Sequence, residues 1–238
     1  MSAGETNPET AVTEPVARTG SDARISRAVL VFLVAAIIAG FAKNFYLRAW
    51  LGTRPLIPTA WLHGFVMSAW LLLFALQVAL VACRRVDLHR RLGRYGATIA
   101  AIVVVVGVLT IVVRARIALP SATLGQYALV FVAFDGLSLL LFGVLVAAAL
   151  RLRGRPATHR RLMTFAMVAL LPPAFGRGVA YFTHAHIELT VLGLMALTVL
   201  VAVVVDAVRI GSLHRASAVP GALVVLANVA TYGAQVAT

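Results

Sequence analysis

The chain reads as an all-α polytopic integral membrane helix bundle of about seven transmembrane helices, and three observations predict it. Hydrophobic residues fill 61% of its 238 positions and charged residues only 12%, with a mean hydropathy of +0.96. A soluble domain carries roughly half apolar and a quarter charged residues. Apolar runs of about 20 residues, the length that crosses a hydrocarbon core of about 30 Å, recur along the sequence. Strand-like alternation is absent, so helices must satisfy the backbone within lipid.

The predicted helices fall near 27–50, 60–83, 95–118, 124–150, 161–184, 187–210 and 217–236. Before them, residues 1–24 mix Glu5, Glu9, Glu14 and Asp22 with Ser, Thr, Pro and Gly. This composition predicts a disordered cytoplasmic tail, leaving 25–238 as the transmembrane domain. The tail lacks the basic start, apolar run and cleavage site of a secretory signal, so the first helix is expected to direct insertion.

The second helix carries "HGFVMSAWLLLFALQ", in which His63, Met67, Trp70, Phe74 and Gln77 recur at spacings of four and three. Such a stripe lies on one helix face. Because it holds His and Gln, it should turn toward protein and away from lipid. The third and fourth helices are long apolar runs, and the fourth carries Asp135 well below its outer boundary. The fifth contains Pro172, Pro173, Gly176 and Gly178, which predict a break or kink. The seventh is diluted by Pro220, Gly221, Asn228 and Gly233; six helices with a loosely packed tail are the alternative.

The net charge of +13 does not predict nucleic-acid binding, because of where the charges lie. Arginines 84, 85, 90, 91 and 94 fill one loop, and arginines 151, 153, 155, 160 and 161 fill another on the same side. With Arg18, Arg24, Arg27, Arg209 and Arg215, that side holds 15 basic residues against six on the other. The positive-inside rule then places the N-terminus in the cytoplasm and the C-terminus outside. Anionic head groups of the bilayer are the expected partner of the arginine loops. Cys83 is the single cysteine, which leaves no disulfide or cysteine-metal framework within the chain.

One internal repeat is visible: "LLLFALQVALVACRRVDLHRRLG" (71–93) is echoed by "LLLFGVLVAAALRLRGRPATHRRLM" (139–163). Two parallel helical hairpins are expected to pack about a pseudo-axis along the membrane normal. His89 and His159 occupy equivalent places, as interfacial residues or as a cytoplasmic-side ligand or lipid-phosphate pair.

A second polar group gathers near the outer surface. His63 stands there on the inward stripe; Arg177, Tyr181 and His184 repeat at four and three along the fifth helix; His186 and Glu188 follow in a short turn. Asp135 and Arg177 are opposite charges in the outer half of the interior and are expected to pair, since isolated burial costs each at least about 2.5–3.5 kcal/mol. Lys43, Asn44 and Tyr46 are placed to extend the cluster. Two imidazoles from different helices, such as His63 and His184 or His186, can ligate haem iron axially while an arginine meets a propionate. Haem b is therefore the cofactor candidate, with a zinc or copper site or a quinone pocket as alternatives.

The segment "YLRAWLGTRPLIPTAWLHGFVMSAWLLLFALQVALVACRRVDLHRRLGRYG" (46–96), followed by "THRRLMTFAMVALLPPAFGR" (158–177), resembles a group of uncharacterised bacterial integral membrane proteins that repeat His-Gly, Trp, Gln and His-Arg-Arg-Leu at these intervals. More remotely, histidines near helix ends are similar to those of transmembrane b-type cytochromes, and "HRRLM" resembles membrane proteins that assist haem-copper oxidase assembly. These likenesses imply a bacterial inner membrane and a haem-binding redox or haem-handling role. A transporter built on Asp135 and Arg177, and a non-catalytic assembly or scaffold protein, are the other classes. No nucleophile elbow, HExxH or phosphate loop appears, and whether the protein is an enzyme is left open.

Overall fold

The structure is a computed structural model and describes residues 19–53, 55–120, 125–183 and 185–236. Helix α1 (Thr19–Phe41) runs through a π-helical turn (Ala42–Tyr46) into the short α2 (Arg48–Leu51). Helices α3 (Pro58–Ala82), α4 (Val86–Ala118), α5 (Gly125–Arg151), α6 (Pro156–Val168), α7 (Pro172–Val179), α8 (Ile187–Ile210) and α9 (Arg215–Val236) follow. Among the described residues there are no strands, and seven spans are long and apolar enough to cross a membrane. The chain is an all-α, multi-pass membrane bundle.

Three boundaries differ from those read in the sequence. Helix α1 begins at Thr19, inside the segment expected as tail; residues 1–18 lie outside the described residues. Helix α4 begins at Val86 and has 33 residues, a length of about 50 Å at 1.5 Å per residue. Its first turns therefore overrun a core of about 30 Å, and they carry Arg90, Arg91 and Arg94. The two arginine loops shrink to tight turns at 83–85 and 152–155, and Arg160 and Arg161 ride on α6.

The third difference is the fifth span, Pro156–Val179, which is two helices. Proline has no N–H and clashes with the preceding turn. Leu170 and Leu171 close the end of α6 on the Met167 and Val168 carbonyls, at 3.1 and 3.0 Å. Pro172 and Pro173 then open α7 at its first two positions, where a missing N–H costs nothing.

The stripe on α3 faces inward as its spacing implies. Trp70 and Phe74 are buried, and Met67 packs against the core. The Trp70 indole N–H donates to the Met167 sulfur at 3.1 Å, and its ring meets Phe142 edge-on at 5.2 Å. One core cluster runs from Leu33 of α1 through Val103, Phe142, Phe165 and Met195 to Val224 of α9.

Glycine sets two of the close approaches. A Cβ on Gly40 would overlap the Ala174 backbone, and one on Gly221 would come within 2.9 Å of Val199 Cγ1. Small residues let membrane helices approach backbone to backbone. Gly221, which dilutes the apolar text of the seventh span, is thus where α9 docks on α8.

Candidate functional site

The bundle has two polar ends. At the end opposite the arginine turns, α3 begins with Pro58 at its first position, and Thr59 and His63 follow one turn apart on the same face. The Thr59 hydroxyl oxygen and His63 Nδ1 are both buried with no hydrogen-bond partner in the structure. Thr110 of α4 lies beside them, donating to the Val106 carbonyl at 2.8 Å and reaching the Thr59 carbonyl at 3.5 Å.

Arg177 of α7 and Arg114 of α4 act electrostatically on His63 and also on Asp135 of α5. The expected contact between Asp135 and Arg177 is not made: these two residues form no ion pair with each other. The Arg177 guanidinium instead donates to the Pro173 carbonyl at 2.8 Å and lies 4.7 Å above the Phe41 ring. One turn of α7 and an aromatic face already satisfy the cation, so it does not reach across to α5. The two residues still feel each other's field.

Tyr181 also departs from expectation. Helix α7 ends at Val179, so the helical stripe read through Arg177, Tyr181 and His184 stops at Arg177. Tyr181 lies in the turn that follows, where its hydroxyl donates to the Gly40 carbonyl at 2.8 Å. Lys43 sits 5.9 Å from its ring. His184 lies outside the described residues, so its pairing with His63 is not seen. His186 is exposed and caps α8 in a left-handed conformation at φ 55°, with Glu188 exposed beyond it. Among the described residues, no three His, Cys, Asp or Glu side chains gather as a metal site.

The rim of this end is aromatic. The π turn places Phe45 5.4 Å from Trp61 and 5.7 Å from Phe65, and Gly64 leaves room for the Phe45 ring, which a Cβ would strike. Arg48 stacks 5.1 Å from the Trp61 ring, and the Tyr46 hydroxyl shares a hydrogen bond with Ser68 at 3.1 Å. Thr59, Arg114 and Phe45 were not singled out from the sequence. Only Thr59 carried a local signal, its four-residue spacing from His63.

At the arginine-rich end, His89 and His159 meet with ring centroids 6.4 Å apart and planes at 79°. Each is oriented by its own hairpin. His159 Nδ1 lies 2.8 Å from the Ala149 carbonyl; a carbonyl only accepts, so this nitrogen carries the proton. The Gln77 amide, turned so that both its ends are satisfied, donates to His89 Nδ1 at 2.6 Å and accepts from the Gly93 N–H at 3.0 Å. His89 Nδ1 is then an acceptor, and the neutral ring carries its proton on Nε2. The main-chain carbonyl of Gln77 also attracts this ring's N–H. The two imidazoles thus hold opposite tautomers.

Beside them, Arg161 Nε donates to Asp206 Oδ2 at 2.6 Å, and Ser217 Oγ donates to the same oxygen at 2.6 Å. Arg161 is 5% exposed, so this is a buried ion pair tying α6, α8 and α9 together. In the sequence Arg161 is one more arginine of the second basic loop. Comparison with protein family models, with curated proteins and with solved structures found no match, so the functional reading rests on this geometry.

Proposed function

We propose that the protein belongs to a bacterial inner membrane, with its N-terminus and arginine-rich end in the cytoplasm, and holds the polar head of a membrane-soluble ligand at the outer end. The ligand class that fits is a quinone-type ring with a carbonyl oxygen. One observation carries the reading: His63 Nδ1 and the Thr59 hydroxyl are buried, unpartnered and one turn apart. A buried polar group left without a partner costs about 1–3 kcal/mol, and native structures keep few of them. A carbonyl oxygen between the two would accept from both. Arg114 and Arg177 outweigh Asp135 in charge and favour partial negative charge there, while Phe45, Trp61 and Phe65 offer flat faces to an apolar ring. The orientation rests on the 15-to-six division of basic residues.

The test is purification in mild detergent, extraction and quantification of co-purified quinone, and titration with a short-chain quinone. His63→Ala and Thr59→Val are each expected to weaken quinone binding at least tenfold. Unchanged binding in both variants would overturn the reading. A visible spectrum decides the cofactor alternative: a Soret band that shifts with dithionite and is lost in His63→Ala would replace quinone by haem.

A further inference from the structure

We propose that one ordered water molecule is held in the middle of the bundle, bridging Ser138 of α5 and Asn228 of α9 at a depth where lipid offers no hydrogen bond. The site is separate from the one at His63 and Thr59 and does not depend on it. A cavity of about 10 Å³ lies between these helices, and its wall includes Ser138, Asn228 and Thr231 among apolar side chains such as Leu141 and Val224. That is about the room a single water needs. Ser138 is the middle residue of α5, and Asn228 stands well inside α9, so both lie deep in their spans.

The polar groups of the wall make the ligand a water. Ser138, Asn228 and Thr231 are only 8%, 7% and 6% exposed. The hydroxyls of Thr110, Thr198 and Thr231 donate to the carbonyl one turn back, at 2.8, 2.7 and 3.1 Å, as hydroxyls inside helices commonly do. The Ser138 hydroxyl has no such bond and no other partner in the protein. The Asn228 amide is oriented by Nδ2, which donates to the Val224 carbonyl at 2.8 Å; its Oδ1 is left as an open acceptor. A water that accepts from Ser138 and donates to Asn228 Oδ1 and Thr231 Oγ1 makes three bonds, the usual number for a buried water. A cation would give up its hydration for neutral oxygens, since no carboxylate is among the described residues of the wall, and an apolar chain would leave both open groups unpaired. Ala169 is in the same wall, and its carbonyl meets no helical N–H because Pro172 and Pro173 stand three and four residues on. The water therefore sits beside the break between α6 and α7.

The test is a crystal structure of the whole protein, grown in a lipid phase and at a resolution that shows ordered waters, together with melting temperatures in detergent. One isolated density peak is expected within hydrogen-bond distance of both Ser138 Oγ and Asn228 Oδ1. Ser138→Ala and Asn228→Leu should each lower the melting temperature, and the double variant should lose clearly less than the sum, because the two residues share one partner. Ser138→Val, whose methyl groups take up the volume of the water, should abolish the peak, and His63→Ala should leave it in place. The structure of the unaltered protein decides by itself if a variant fails to fold. A direct hydrogen bond between Ser138 and Asn228, a cavity without a peak, or the continuous density of a lipid chain would each overturn the proposal. Additive losses in the double variant would overturn it as well.

Discussion

The two ends of the bundle are built from the same residue types and solve the burial problem differently. At the arginine-rich end, Arg161 meets Asp206 and Ser217 at 2.6 Å, and each histidine has a partner for Nδ1. At the other end, Asp135 and Arg177 stay out of contact, and His63 Nδ1 and the Thr59 hydroxyl have no partner. A saturated network fixes helices. An unsatisfied one leaves hydrogen-bonding capacity for something else, which is why the end away from the arginine turns is proposed as a ligand site. Sequence alone shows arginines, acids and histidines at both ends and does not separate them.

The sharpest way to break this contrast is to remove one partner of the saturated pair. Arg161→Ala leaves Asp206 uncompensated and should cost about 3–5 kcal/mol, read as a lowered melting temperature in detergent; a shift no larger than that of an exposed arginine variant would erase the distinction. Gly40→Ala should follow, at about 1–3 kcal/mol, because its Cβ would strike the Ala174 backbone and push α1 off α7. Tyr181→Phe removes one hydrogen bond to the Gly40 carbonyl and should cost about 0.5–1.5 kcal/mol. The smallest effect concerns coupling. A double-mutant cycle on Asp135 and Arg177, which interact only through the field, should depart less from additivity than the same cycle on Arg161 and Asp206, which touch at 2.6 Å. Strong coupling between Asp135 and Arg177 would show that they meet, and would make the end away from the arginine turns hold a structural pair as well.

Much of the fold was legible. Seven apolar runs of membrane length became seven spans, because lipid leaves the backbone little choice but to hydrogen-bond within each run. The period of four and three turned Trp70 and Phe74 inward for the same reason that it contains His63 and Gln77. The paired prolines broke the fifth span where they stand. The repeat placed His89 and His159 at matching positions, and they do meet.

Partner choice was not legible. Nothing local in "HRRL" tells that Arg161 turns inward to Asp206 while Arg160 stays exposed; that follows from which face of α6 packs on α8 and α9. Nor does the chain announce that Arg177 is satisfied by Pro173 and Phe41. That outcome depends on the restart of the helix after Pro172 and on how closely Gly40 lets α1 approach.

Composition and periodicity by themselves determined the class of the protein, the number of spans and the inward face of α3, because solvent and helix geometry act on each segment separately. Tertiary structure alone decided which polar groups are paired and which are left open. Hydrogen bonds and ion pairs depend on a few tenths of an ångström between helices far apart in sequence, and that distance is set by packing the whole bundle.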